Sequence, residues 1–227
     1  ENYRPGIPEP KSLVDHWIIS ELTQAKATLE RTIDGYRIAE AQETIYHAIW
    51  DSVADWYIEA SKDQDNLDLL VWVLDTSLKL AHPFAPFVTE TIWQTLPWND
   101  TLLISERWPE MIAYSDISAA EFAQVQQLVT EARFIITSLP GNEKYTLLYR
   151  TDSLIEDNKD LIKRLARLKD VTLVDQGRGL RLPNSGRDAW LDVSAETLTE
   201  HETNLEARLA TTHQDIKAHE ARHKNAN

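Results

Sequence analysis

Apolar residues recur every three or four positions through most of residues 1–140, which predicts a bundle of amphipathic helices. The first helix is expected to begin after Ser12, a good N-cap residue with Asp15 at the reciprocal position of a capping box. It should end at Gly35, because glycine commonly terminates helices. Its apolar stripe, expected to face the core, consists of Val14, Trp17, Ile18, Leu22, Ala25 and Leu29.

The same period continues in three longer segments. A second helix is expected at about residues 36–62, a third begins at Asp65 or Asn66, and a fifth occupies about residues 118–138. The side chains expected to face the core in the second and third helices are Ile38, Ala41, Ile45, Ala48, Ile49, Val53, Trp56, Leu67, Leu70, Val71, Leu74 and Leu78. Those of the fifth helix are Phe122, Val125, Leu128, Val129, Ala132 and Ile136.

Two prolines separate the third helix from the fourth. Pro83 blocks continuation of the third helix and disfavours helical geometry at the residue before it, so His82 is expected to be extended. Pro86 suits the first turn of the fourth helix, where its missing N–H costs nothing. The stretch therefore predicts a stiff corner between two helices. The side chains expected on the buried face of the fourth helix are Phe87, Ile92 and Leu96.

The period changes after Pro140-Gly141-Asn142, a clear helix breaker. Short β runs at residues 145–149 and 171–174, a hairpin through residues 180–193 and a helix at residues 154–168 predict a small α+β module. Four basic residues cluster at the C-terminal end of this helix, namely Lys163, Arg164, Arg167 and Lys169.

A single polar helix is expected from Ser194 to about His223. Its weak stripe follows heptad spacing and consists of Leu198, Leu205, Leu209, Thr212 and Ile216. Because so polar a helix is marginal on its own, we expect it to pair with a neighbouring chain, to dock on the body or to fray. The chain as a whole is expected to be mainly α-helical, with a helical bundle at residues 1–140, the α+β module at 141–193 and a C-terminal arm helix at 194–227.

The composition excludes several classes of protein. The chain has 227 residues and no cysteine, so disulfides and thiol catalysis are excluded and a reducing, cytoplasmic location is favoured. No apolar run approaches the ~20 residues needed to cross a bilayer. The formal net charge of −14 argues against broad nucleic-acid binding but leaves room for a local basic surface. The first residues lack an initiating Met and a signal peptide, and we expect the chain to be part of a longer protein.

One short motif suggests metal chemistry. His219-Glu220-Ala221-Arg222-His223 fits the H-E-x-x-H pattern of zinc proteases, in which two histidines on one helical face hold the metal. A third ligand normally follows, and none of the last four residues is His, Asp or Glu. Because four of the seven histidines lie in this helix, we interpret the motif as part of a polar solvated arm and predict no metal site.

Residues 82–94, H-P-F-A-P-F-V-T-E-x-x-W-Q, closely resemble the helical anticodon-binding domain of class I aminoacyl-tRNA synthetases of the valine, isoleucine and leucine group. Residues 13–22, L-V-D-H-W-I-I-S-E-L, are similar to a helix start of that family, and residues 55–62, D-W-Y-I-E-A-S-K, resemble its valine branch. Residues 190–193 and the long polar helix after them also resemble the valine branch. The isoleucine branch, an alternative with the same chemistry, would show a zinc-binding cysteine tail.

The resemblance implies a tRNA-binding region of an aminoacyl-tRNA synthetase. The intact enzyme would use ATP with Mg²⁺, but the H-I-G-H and K-M-S-K-S type motifs are absent here, so we assign no catalytic residue and no cofactor to this chain. The expected partners are tRNA and an N-terminal catalytic domain; neither DNA nor a membrane is expected. In the family, a first bundle helix should precede Glu1, and a return helix of a coiled-coil arm should begin near Asn225. A stand-alone helical interaction protein is the alternative from another class.

Three basic residues near the first helical turnaround are candidate RNA contacts, namely Lys26, Arg31 and Arg37. A solvated helix face is the alternative interpretation of the same residues. Five tryptophans are candidates for stacking on bases, although at stripe positions they are more often part of a core. These are Trp17, Trp50, Trp56, Trp72 and Trp93.

Overall fold

The computed structural model describes residues 6–62 and 65–225, with side chains described as far as Lys217. The chain forms two compact units, Glu1–Gln124 and Val125–Asn227. The first unit is helical and the second combines helices with a four-stranded sheet, so the predicted mainly α fold is confirmed. The helices of the first unit are α1 (Leu13–Asp34), α2 (Ile38–His47), a π-helical segment (Ala48–Tyr57), α3 (Ile58–Ser61), α4 (Leu67–Ala81), α5 (Pro86–Trp93) and a 3₁₀ turn (Leu103–Ser105).

Helix α1 begins as predicted, because the Ser12 Oγ accepts a hydrogen bond from the Asp15 N–H at 3.2 Å. It also ends at Gly35, as predicted. Tyr36, and not Gly35, adopts the left-handed conformation, with φ of 56°. The Tyr36 N–H donates to the Ile33 carbonyl at 2.9 Å and the Arg37 N–H to the Thr32 carbonyl at 2.8 Å, which is the bonding pattern of a Schellman motif.

The second predicted helix is continuous from Ile38 to Ser61, but its middle part, Ala48–Tyr57, is π-helical. The Ile58 N–H donates to the Val53 carbonyl, as the i→i+5 pattern of a π-helix requires. This wider turn moves the buried face, so Ser52 and Tyr57 are buried where an α-helical period predicted Val53 and Trp56, which are only partly buried. Ile38, also predicted in the stripe, is exposed.

The buried face of α4 agrees with the predicted one only in part. Leu67 and Leu70 are exposed, so this part of the prediction was wrong, whereas Val71 and Leu78 are buried as expected. The side chains that α4 buries are Leu69, Val71, Val73, Thr76, Ser77, Leu78 and Leu80.

The predicted corner at residues 82–86 is present, with Pro86 in the first turn of α5. His82 is helical, with φ of −54° and ψ of −41°, and not extended as predicted. Its N–H completes a helical hydrogen bond to the Leu78 carbonyl at 3.0 Å, and its Nδ1 lies 2.8 Å from the Thr89 Oγ1. These two bonds offset the steric cost of a helical residue before Pro83.

Helix α5 buries a different face from the predicted one. Phe87 is 87% exposed and Ile92 is also exposed, whereas Thr89 and Trp93 are buried. The helix ends at Trp93, so Leu96 lies in the turn that follows and cannot extend its stripe. Trp93 packs with Leu78 and Leu103 in a small cluster, which anchors the corner on the tryptophan.

The second unit includes the last part of α6 (Asp116–Ser138), which was predicted at residues 118–138. Its sheet has the order β2-β1-β4-β3, with β1 parallel to β2 and antiparallel to β4, and the predicted hairpin is present. The Glu131 carboxylate of α6 accepts the N–H groups of Asn184 and Ser185 at 2.8 and 2.7 Å, which fixes the hairpin turn. The elements are β1 (Thr146–Tyr149), α7 (Ser153–Asp157), α8 (Lys159–Leu165), β2 (Asp170–Leu173), β3 (Leu180–Arg181) and β4 (Ala189–Asp192).

The predicted polar helix is present as α9 (Ala195–Asn225). Its side chains are exposed from Glu202 to Lys217, including those of Leu205, Leu209 and Ile216 in the heptad stripe. Helix pairing between chains through this stripe stays a prediction. Among the residues that the structure describes, no helix is long and apolar enough to cross a membrane.

Candidate nucleic-acid interface

The turnaround between α1 and α2 brings two of the three candidate residues together. The Schellman motif folds the chain back so that Arg31, in the last turn of α1, and Arg37, just before α2, flank the same turn. The Arg31 side chain is exposed, and within the described residues no carboxylate lies at ion-pair distance from it. Arg37 is half exposed and pairs with Glu40, with its Nη1 2.9 Å from the Glu40 Oε2. Such exposed pairs exchange readily for a phosphate.

The third candidate, Lys26, is already engaged. Its Nζ lies 2.7 Å from the Glu30 Oε1, and its side chain is only 20% exposed. The Trp108 Nε1 donates to the same carboxylate oxygen at 2.9 Å. The hydrogen bond from Lys26, assisted by that from Trp108, holds the pKa of Glu30 below its ordinary value. Lys26 therefore differs from the two arginines, because its charge is already engaged in a local network with Glu30 and Trp108.

Tyr36 is a candidate that the sequence interpretation missed. Its side chain is 90% exposed, and the left-handed backbone projects it from the turn between Arg31 and Arg37. An exposed aromatic ring on a turn that two arginines flank is suited to stacking on an unpaired base while the arginines contact phosphates. The only sequence signal was the neighbouring Gly35, which marks a helix end but not which residue becomes left-handed.

The tryptophans divide between core and surface. Trp17 and Trp93 are buried, and Trp56 and Trp72 are partly buried, in agreement with the core interpretation. Trp50 is exposed and stacks on Tyr46, with ring centroids 6.2 Å apart and ring planes 6° from parallel.

A groove of about 370 Å³ lies between α1 and residues 44–52, which include the end of α2 and the start of the π-helical segment. Glu21 and Asp51 are among its lining residues, and the Asp51 Oδ2 lies 2.7 Å from the His47 Nδ1. Two carboxylates at its wall make it unsuited to a phosphate, because like charges repel. We therefore place the candidate interface at the turnaround and not in this groove.

Metal binding has no further support in the structure. Among the side chains that the structure describes, which end at Lys217, no group of three or more His, Cys, Asp or Glu is placed to hold a metal ion. The side chains of His219 and His223 lie outside the described residues, so the interpretation of that motif stays a prediction.

Comparison with known proteins defines the class. Residues 15–148 match the family model described as the anticodon-binding domain of tRNA ligase. The chain belongs to this family of tRNA ligase domains. Valine–tRNA ligases are among its curated relatives, as the resemblance to the valine branch indicated. The isoleucine alternative has no better support.

Three relatives illustrate the similarity. The valine–tRNA ligase of Petrotoga mobilis is 31% identical over 207 residues, which cover 83% of this chain and 23% of the relative. That of Thermotoga maritima is 32% identical over 187 residues, 78% of this chain and 22% of the relative. That of Mycobacterium leprae is 35% identical over 170 residues, 71% of this chain and 18% of the relative. The chain thus spans about a fifth of the length of the relatives that it matches.

Proposed function

We propose that this chain is the tRNA-binding C-terminal region of a valine–tRNA ligase. The observation that carries the proposal is the match of residues 15–148 to an anticodon-binding domain. Most of these residues lie in the helical unit. In the intact enzyme, ATP with Mg²⁺ would activate valine, and the acyl group would then move to the tRNA in the cytoplasm. This region would hold the anticodon stem and take no part in the chemistry, which would belong to an N-terminal catalytic domain.

The proposed contacts lie at the turnaround of α1 and α2. Arg31 and Arg37 would bind backbone phosphates and so position the RNA, while Tyr36 would stack on an unpaired base. Lys26 would contribute by orienting Glu30 and Trp108, and it would reach a phosphate only after leaving Glu30. We further propose the domain boundaries that the sequence predicts, with a helical bundle at residues 1–140, the α+β module at 141–193 and an arm helix at 194–227.

Replacing both arginines tests the proposed site. The Arg31→Ala/Arg37→Ala double variant should bind valine-accepting tRNA about tenfold more weakly, because two phosphate contacts are lost. The slope of log affinity against log salt should fall by about 1.5, since each contact releases roughly one counterion. Both quantities are measured by filter binding of labelled tRNA at several salt concentrations.

Lys62 provides the matched control for this experiment. It is an exposed cation paired with Glu59 at 2.6 Å across the same i, i+3 spacing that joins Arg37 to Glu40. The Lys62→Ala variant should keep wild-type affinity within about twofold. Equal affinities of the arginine variant and the lysine variant would contradict the assignment of the site.

A further inference from the structure

The net negative charge of the protein comes almost entirely from one unit. Residues 1–124 contain 8 Lys and Arg against 21 Asp and Glu, whereas residues 125–227 contain 15 against 16. An RNA approaching the chain is therefore repelled mainly by the first unit, although the anticodon-binding match lies largely there. Basic side chains that attract the phosphate backbone are opposed by less excess negative charge in the second unit.

Five basic residues of the second unit gather at one end of the sheet, and we call them the basic end: Lys144, Lys163, Arg164, Arg167 and Lys169. Strands β1 and β2 are parallel neighbours, with Thr146 opposite Asp170. Lys144 and Lys169 precede these two strands and therefore lie at the same end of the sheet. The Lys169 N–H donates to the Tyr145 carbonyl at 2.8 Å, which holds the two segments side by side. Sequence interpretation recognised four of these residues, and the sheet adds Lys144.

Arg167 occupies a position at which glycine is the usual residue. The Arg167 N–H donates to the Arg164 carbonyl at 3.1 Å and the Leu168 N–H to the Lys163 carbonyl at 2.9 Å, so α8 also ends in a Schellman motif. Arg167 is its left-handed residue, with φ of 54°. A side chain with a Cβ is strained in this conformation. An exposed arginine kept at a strained position favours a role for its guanidinium group.

The local charges are only partly compensated. Lys163 pairs with Asp170 at 3.5 Å, with both side chains well exposed. Within the described residues, no carboxylate lies at ion-pair distance from Lys144, Arg167 or Lys169, all of which are exposed. The dipole of α8 accounts for cations in its last turn, namely Lys163 and Arg164, but not for the three that lie beyond the helix.

We infer that the basic end is a second RNA-binding surface, which contacts the phosphate backbone of the tRNA. This inference rests on the proposed function for its partner, since tRNA supplies the polyphosphate chain that such a surface fits. Uncompensated, exposed Lys and Arg side chains bind phosphates without reading sequence, so the surface adds affinity and orientation to the complex.

The test uses the full chain and an Arg167→Gly/Lys169→Gln variant. Glycine relieves the left-handed strain at residue 167, so the variant should melt no lower than the wild type. Its affinity for valine-accepting tRNA should fall about tenfold, and its salt slope by about 1.5. Loss of affinity in a chain of undiminished thermal stability cannot be attributed to unfolding.

The control variant removes the same charge from the same unit. Arg178→Gln/Arg181→Gln deletes two guanidinium groups at β3, the strand at the opposite edge of the sheet from β2, where they pair with Asp192 at 2.7 Å and Asp188 at 3.0 Å. Because these groups lie outside the basic end, this variant should bind tRNA like the wild type. Equal affinity of the two variants would overturn the inference and leave the proposed function standing. A wild-type chain without tRNA affinity would overturn the proposed function itself. Sedimentation of the wild type with phosphatidylserine vesicles, with tRNA affinity unchanged in the Arg167→Gly/Lys169→Gln variant, would assign the surface to a membrane instead and overturn the inference.

Discussion

Trp93→Ala is expected to lower the free energy of unfolding of the helical unit by about 4 kcal/mol, the largest effect that we predict for a single substitution. Trp93 is 2% exposed and packs on Leu78 and Leu103. Its Nε1 donates to the Thr101 carbonyl at 2.9 Å, and the Lys79 Nζ lies 5.3 Å from the centre of its ring. Truncation therefore opens a cavity and removes a hydrogen bond and a cation–π contact together. Urea denaturation followed by circular dichroism measures the loss.

Phe87 is the control for this prediction, because it lies on the same helix, was expected in the core and is in fact exposed. Phe87→Ala should change the free energy of unfolding by at most about 0.5 kcal/mol, as is usual for exposed positions. A larger loss for Phe87→Ala than for Trp93→Ala would restore the buried face predicted from the sequence and contradict the packing of α5 described above.

Asp15→Ala is expected to lower the free energy of unfolding by about 3 kcal/mol. Asp15 is 0% exposed, and its Oδ2 accepts hydrogen bonds from the Lys11 N–H at 2.9 Å and the Asn66 Nδ2 at 2.7 Å. Asn66 also donates to the Glu9 carbonyl at 3.0 Å, so the carboxylate joins the start of α1 to the start of α4 and to the lead-in segment. Its removal leaves buried donors without an acceptor, which costs more than the loss of one exposed bond.

Asp51→Ala provides the comparison for Asp15→Ala in the same denaturation experiment. The Asp51 carboxylate is exposed and bonds to His47 within the same helix. Its loss should therefore lower the free energy of unfolding by only about 0.5 kcal/mol or less, as for other exposed pairs. If the two aspartate variants unfold at the same urea concentration, the buried network does not stabilise the fold in the way described.

The sequence predicts the elements of this fold well, because each is marked by local chemistry. Ser12 and Pro86 begin helices, Pro140 and Gly141 follow the end of one, and the short apolar runs after them form the sheet. These signals act within a few residues of one another, so they do not depend on contacts with distant parts of the chain. The family resemblance rests on the same local segments, and the comparisons confirm it.

The faces of the helices are harder to predict, because they depend on the period that the backbone adopts. An α-helical period places Val53 and Trp56 inside, but the π-helical segment moves the buried positions to Ser52 and Tyr57. Asp15 looks like a residue of a capping box and is also the buried centre of a network that includes Asn66, which lies far along the chain at the start of α4. No local pattern encodes such a distant bond.

The candidate interface shows the same limit. Arg31 and Arg37 were expected from their position near a helix end, and the structure brings them to one turn. Lys26 has the same charge, but its pairing with Glu30 depends on a rotamer and on Trp108, which is distant from Glu30 in the sequence. The roles that we propose for Tyr36 and Lys144 depend on a left-handed backbone and on strand pairing, and neither feature can be read from composition or charge.

The central claim is that the helical unit holds the anticodon arm of a tRNA. The most direct measurement compares the dissociation constant of the full chain for valine-accepting tRNA with that for the same tRNA from which the anticodon arm has been deleted. We expect the deletion to weaken binding at least about tenfold, because the contacts around Arg31 and Arg37 are lost while any backbone contact elsewhere remains. Equal dissociation constants for the two RNAs would contradict it.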